Sequence, residues 1–193
     1  MAITTWNIDP THTDVIFAAK HMMVTNVRGK FGAVEGSIEL DEENPANSTG
    51  TFSVQVASLN TGVEHRDGHL RSADFFDAEN YPTVTFVTTN ITGKGGNDYA
   101  LTGDLTIRGT TRPVTLDVEF LGFFVSMGGA RRAGFHGTGK INREEFGLTW
   151  NVSLETGGWL VGKDIRLEID LAVEEAAPAV SETAAPDAAP VAA

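Results

Sequence analysis

Residues 164–174 read "DIRLEIDLAVE". Ile165, Leu167, Ile169, Leu171 and Val173 fall on one side of an extended chain; Arg166, Glu168, Asp170, Ala172 and Glu174 fall on the other. Side chains of a β-strand alternate between faces, so a two-residue period predicts a strand with one apolar and one solvated face. The same period joins Val34, Gly36, Ile38 and Leu40, then Phe52, Val54 and Val56, then Tyr99, Leu101, Gly103, Leu105 and Ile107. It recurs in Val114, Leu116, Val118 and Phe120, and in Phe135, Gly137, Gly139 and Ile141. Val84 with Phe86, and Val15 with Phe17, mark shorter strands.

Turn-forming residues separate these rows: Asn44-Pro45, Gly93 to Asn97, Gly109, Gly128-Gly129 and Gly157-Gly158. About eight strands in a meander, with almost no helix between them, predict an all-β antiparallel barrel or sandwich. Residues 64–80 break the alternation. Leu70 and Ala73 fit helical spacing there, so a short helix and a loop are expected, ended by Pro82.

Four glycines, Gly36, Gly103, Gly137 and Gly139, stand inside the apolar rows, where they pack nothing. They either supply the bends that close a barrel or leave room inside it. An eight-stranded barrel is at the size where side chains fill the interior or spare space for one ligand.

The chain has 193 residues, enough for one domain with a short extension. Its formal net charge of -12 opposes nucleic-acid binding, which needs a basic surface, and docking on an anionic membrane. There is no cysteine, which removes disulfides and thiolate chemistry. The start, "MAITTWNIDPTHTD", has neither a basic segment nor an apolar core, so no secretory signal and a cytoplasmic location are expected. No apolar run reaches the roughly 20 residues that span a bilayer. Beyond Glu175, "AAPAVSETAAPDAAPVAA" is rich in Ala and Pro and lacks aromatic residues. Residues 1–175 are therefore read as the folded domain and 176–193 as a disordered tail.

Several motifs invite a chemical reading. In "VEHRDGHLRS", residues 63–72, His65 and His69 share one helical face, as metal-binding histidines do. A third ligand is lacking nearby, Glu64 precedes the pair, and His12, His21 and His136 lie on separate segments. No metal is expected. "GFHGTGK", residues 134–140, imitates a phosphate-binding loop, but Ile141 stands where Ser or Thr would bind magnesium, and the stretch alternates as a strand. In "EEFGLTWN", Glu144 and Glu145 are adjacent, and on a strand they would point to opposite faces. No serine sits in a nucleophile elbow. Nothing in the chain requires catalysis.

Four stretches carry a resemblance: "TDVIFAAKHMMVTNVRGKFGAVEGSIELDEENP", "HRDGHLRSADFFDAENYPTVTF", "LTGDLTIRGTTRPVTL" and "INREEFGLTWN". In order and spacing they resemble the YceI-like polyisoprenoid-binding proteins, over residues 5–175. The resemblance implies an eight-stranded antiparallel lipocalin-like β-barrel with a short helix and loop over it. It also implies a long isoprenoid or similar lipid held inside, no further cofactor, and a homodimer.

The candidate lining is then Phe17, Phe31, Val34, Ile38, Phe52, Val54, Phe86, Leu105, Ile107, Leu116, Val118, Phe135, Ile141, Leu148 and Trp150. On the resemblance, Leu70, Phe75 and Phe76 dip toward the cavity from the helix and loop, with His69, Arg71 and Asp74 at the rim. His65, Arg66, His69 and Arg71 are candidates to meet a polar head, a quinone carbonyl or a diphosphate. The expected function is binding, sequestration or transport of a polyprenyl chain, an isoprenoid quinone or a similar lipid. A barrel enzyme acting on a hydrophobic substrate, or a ligand-free structural barrel with a filled core, are the alternatives.

Overall fold

The computed structural model describes residues 3–155 and 157–177; residues 178–193, most of the expected tail, lie outside the described residues. Strand β11 (Val161–Glu175) contains the stretch that opens the sequence argument. It pairs with β10 (Arg131–Asn142) from Asp164 to Glu174, Ile165 opposite Ile141 and Val173 opposite Ala133. The remaining strands are β1 (Thr4–Ile8), β2 (Asp14–His21), β3 (Thr25–Phe31), β4 (Val34–Leu40), β5 (Thr49–Gln55), β6 (Leu59–Asn60), β7 (Thr83–Gly95), β8 (Asp98–Ile107) and β9 (Thr110–Val125).

All are antiparallel, and the sheet runs β1-β4-β5-β7-β8-β9-β10-β11 before β11 returns to β1. Three ribbons are interrupted. β1 and β2 flank a break at residues 9–13, yet both pair along one edge of β11, with Ile8 opposite Val173 and Asp14 opposite Asp170. Pro10, which has no N–H to give a ladder, sits in that break. β3 and β4 form the next ribbon, pairing with β2 and β1 respectively. β5 and β6 continue the order against β4 and β3. Counted as ribbons, the described residues form a closed eight-stranded antiparallel barrel with one short helix, α1 (Glu64–Arg71), as the sequence and its resemblance lead one to expect.

The β8–β9 turn uses Arg108 at φ 48° and Gly109 at φ 72°, the two positive values of a tight primed hairpin turn. "GFHGTGK" lies wholly within β10. Glu144 and Glu145 are on a 3-10 turn (Arg143–Phe146), which Gly147 at φ 78° ends in the left-handed region. Both carboxylates face solvent.

The ends of the barrel differ. The helix end carries α1, the 3-10 turn, the connection 147–160 and the β2–β3 tip. The other end carries the connection 41–48 and the β9–β10 tip. Packed apolar residues cluster at both. Phe75, Leu105, Ile107, Val114, Ile141, Phe146 and Leu148 cluster at the helix end; Trp6, Ile38, Leu40, Ala133 and Val173 cluster at the other. Among the described residues, no helix is long and apolar enough to cross a membrane.

Candidate functional site

Between these clusters lies a cavity of about 380 Å³, within the range of roughly 300–1,000 Å³ typical of small-molecule sites. Its wall is built from the inward rows of nearly every strand. Of the eighteen lining candidates named from sequence, seventeen lie on it: Phe17, Phe31, Val34, Ile38, Phe52, Val54, Leu70, Phe75, Phe76, Phe86, Leu105, Ile107, Leu116, Val118, Phe135, Ile141 and Leu148. Trp150 does not. It has left the strand period, and its ring meets His69 at 4.5 Å and Phe75 at 5.3 Å, behind the wall.

The rows contributed more than the candidates. Val15, Leu40, Tyr99, Leu101, Val114, Phe120, Ile165, Leu167, Ile169 and Leu171 line the cavity as well, all at the phase that the alternation assigns to the interior. Phe123, Arg143 and Phe146 line it without any periodic signal. A bulge explains Phe123. Gly134 pairs with Gly122 but Phe135 pairs with Phe120, leaving Leu121 unmatched, and Gly122 takes φ 117°. One extra residue exchanges the faces of the strand, so the inward row passes from Phe120 to Phe123.

The glycines divide between the two readings. A β-carbon on Gly103 would stand 2.6 Å from a ring carbon of Phe86 and 2.7 Å from the Val87 carbonyl, so that glycine is a seat for an aromatic ring. Gly137 lines the cavity, and a β-carbon there would meet Ile169 and Val118 only at 3.7–3.8 Å. It leaves interior space.

The wall carries few charges. Arg143 is 3% exposed and faces the cavity at the helix end. Its Nε donates to the Gly162 carbonyl at 3.1 Å, one terminal nitrogen donates to the carbonyls of Leu148 and Trp150, and the other donates to that of Val161 at 3.4 Å. Burial pushes its pKa down, although nearby Glu144 opposes the shift. The guanidinium thus ties the 147–162 connection to the barrel from inside. At the opposite end Glu42 reaches the cavity and receives both terminal nitrogens of Arg131 at 2.6 Å. Those bonds hold the Glu42 carboxyl below its ordinary pKa. Arg131 lies over the rings of Phe123 and Trp6, at 4.5 and 5.3 Å.

The head-group candidates are placed elsewhere. His65, Arg66, His69 and Arg71 are all absent from the cavity wall. Arg66 donates to the Thr61 hydroxyl at 2.7 Å and to the Thr61 carbonyl at 2.9 Å. Arg71 donates to the Leu59 carbonyl at 2.6 Å. His69 bonds Asp74 at 2.9 Å and packs edge-on against Trp150 and Phe75. Asp67, between the histidines, is buried and accepts from the amide and hydroxyl of Thr61. The helix spends these polar side chains on fastening itself to the β6 connection, because an eight-residue helix with few apolar residues cannot be held by packing alone. Only Leu70, with Phe75 and Phe76 after it, reaches inward.

Histidine–carboxylate pairs occur at His12–Asp9, His69–Asp74 and His136–Asp170, none of them on the cavity wall. Among the described residues, no group of three or more His, Asp or Glu side chains is placed to hold a metal ion.

Comparison with known proteins fits this geometry. A UPF0312 protein of Staphylococcus epidermidis is 40% identical over 167 residues, which is 86% of this chain and 95% of the relative. The crystal structure of Burkholderia cenocepacia BcnA superposes with a TM-score of 0.73 at 26% identity, covering 86% of this chain and 98% of that one. A polyisoprenoid binding domain from Saccharophagus degradans, implicated in plant cell wall breakdown, shares the fold with a TM-score of 0.65 at 15% identity, covering 90% of this chain and 99% of that one. The model of the YceI-like domain matches residues 6–173, nearly the whole barrel, and the chain belongs to that family.

Proposed function

We propose that this protein binds a long apolar chain, an isoprenoid or a lipid of similar shape, inside its barrel, and sequesters or carries it without chemical change. The observation that carries this reading is the cavity of about 380 Å³ walled by the inward rows. Its one deep charge, Arg143, is already bonded to backbone carbonyls. Such a space is lined almost wholly by apolar side chains and is not filled by the protein's own atoms. Each methylene transferred into it from water gains about 0.8 kcal/mol. A chain of many carbons therefore binds tightly without an ionic anchor, even after the entropy of ordering it is subtracted.

The barrel shared with the Saccharophagus domain supports the isoprenoid choice, since that protein is a polyisoprenoid binder. A carrier role also suits a cavity wall on which none of the histidine–carboxylate pairs appears. The test is extraction of the purified protein, prepared without detergent, with organic solvent, followed by mass spectrometry. A stoichiometric isoprenoid or other long-chain lipid is expected. An empty extract, together with no uptake of an added polyprenol, would overturn the reading.

A further inference from the structure

Residues 121–130, "LGFFVSMGGA", contain no charged side chain, in a chain of which 21% is charged. Leu121, Phe123, Phe124, Val125 and Met127 are all exposed, Phe123 by 40% and Met127 completely. On a half-buried strand only alternate residues face water. Here Phe123, Phe124 and Val125 are exposed in succession, so the β9–β10 tip stands past the barrel rim with apolar side chains on both faces. A cluster of this kind marks a contact surface.

Continuity with the cavity identifies the occupant. Phe123 belongs at once to the tip and to the cavity wall. The lining residue Glu42 beside it is exposed as well, while Leu40 and Ser48 farther in at that end are buried. At the helix end the lining residues Phe75, Arg143, Phe146 and Leu148 are buried. The cavity therefore reaches the surface where the apolar tip is. The other exposed apolar tip, Met22 to Val24, is at the closed end. Charge narrows the partner further. Arg131 and Arg132, the cations next to the tip, are both engaged: Arg131 with Glu42 and Glu175, Arg132 with Asp9 and Glu174. With a net charge of -12, the chain is repelled by anionic headgroups.

We infer that the β9–β10 tip docks on a net-neutral, zwitterionic lipid surface, inserting Phe124, Val125 and Met127 and setting the cavity mouth against the lipid from which an apolar chain is loaded. The loading step rests on the binding function proposed above; the docking itself does not. Aromatic and aliphatic side chains at a loop tip partition into the headgroup boundary without spanning the bilayer.

The test floats the full chain with phosphatidylcholine vesicles. The protein is expected to rise with them, and to do so less as phosphatidylserine replaces part of the lipid. Phe124→Glu with Met127→Glu, two exposed positions off the cavity wall, is expected to reduce flotation about tenfold or more, since each withdraws a large apolar side chain from the interface. Met23→Glu with Val24→Glu at the closed end should leave it unchanged. A protein that stays at the bottom of the gradient overturns the inference, and so does loss of binding only in the Met23/Val24 pair. Sedimentation of the protein alone gives the rival occupant: a dimer that Phe124→Glu with Met127→Glu converts to monomer, with no vesicle binding, assigns the tip to a second copy. Uptake of a pyrene-labelled fatty acid reads the cavity separately. Failure to take it up, with flotation intact, sinks the proposed cargo and leaves the docking standing.

Discussion

Arg131 gives both terminal nitrogens to the Glu42 carboxylate at 2.6 Å, although their strands are not neighbours in the sheet. Glu42 follows β4, while Arg131 opens β10, and their bond crosses the rim at the cavity mouth. A bidentate pair is geometrically restrictive, so it fastens the 41–48 connection over the opening.

Breaking that bond should loosen the mouth with little effect on the fold. Glu42→Gln is expected to speed exchange of a bound fluorescent fatty acid while lowering the melting temperature by only a few degrees, because exposed ion pairs contribute less than about 1 kcal/mol. The pH sign follows from the lowered pKa of Glu42. Its contribution is complete above the ordinary glutamate pKa of about 4.3 and is lost as pH falls through the lower folded value. Exchange should be flat from neutral pH to that point and rise below it, and Glu42→Gln should erase the rise. Stopped-flow exchange at several pH values checks this.

Arg143 should be among the least replaceable residues. Arg143→Met takes the Arg143 donor from the carbonyls of Gly162, Leu148 and Trp150, while that of Val161 keeps the Asn151 amide at 2.7 Å. Urea unfolding should show a loss of about 3 kcal/mol or more. Arg143→Lys should recover little, because one ammonium cannot reproduce the planar fork that serves four carbonyls.

The two kinds of glycine should respond oppositely. Gly137→Leu projects into free space, so the fold should persist while solvent extracts contain less lipid. Gly103→Ala should be destabilising by about 1–3 kcal/mol, since its methyl meets the Phe86 ring and the Val87 carbonyl. A Gly137→Leu protein that keeps its full lipid load would place the ligand elsewhere.

Asp9 accepts from the Thr11 hydroxyl at 2.6 Å, the Thr11 amide at 2.9 Å, His12 at 2.7 Å and Arg132 at 2.6 Å. The bonds from Thr11 and His12, that of the Thr11 hydroxyl first, hold its carboxyl well below the usual carboxylate range against the opposing effect of burial. It therefore stabilises the fold above the ordinary aspartate pKa of about 3.9, and less and less as pH falls toward the depressed value. Asp9→Asn should lower the melting temperature at neutral pH, and the gap to the unmodified protein should narrow in acid. A gap that is constant with pH would contradict this account of Asp9.

Ladder alternation was legible in most strands, but not in β1, β3 or β6, nor past the bulge of β9. The rows of β11, β10, β9 and β8 needed only their period, because one buried face leaves no other register. Leu70, Phe75 and Phe76 came from resemblance instead, since their segment has no period of two. The period could not place the polar side chains of α1, for a physical reason. Arginine and histidine spacing shows that residues share a face, but not whether backbone carbonyls such as those of Thr61 and Leu59 will claim them first.

What the sequence pattern alone determined about this protein is which side of most ribbons avoids water, and with it an antiparallel all-β barrel or sandwich; the resemblance chose the barrel. The tertiary structure decided where that barrel opens and what guards it. Phe123 enters the wall only because the Leu121–Gly122 bulge reverses the strand's faces, and Glu42 meets Arg131 across 89 positions of chain. Both depend on how distant ribbons are brought together when the sheet closes, and the period of a single strand carries no information about its partners across the rim.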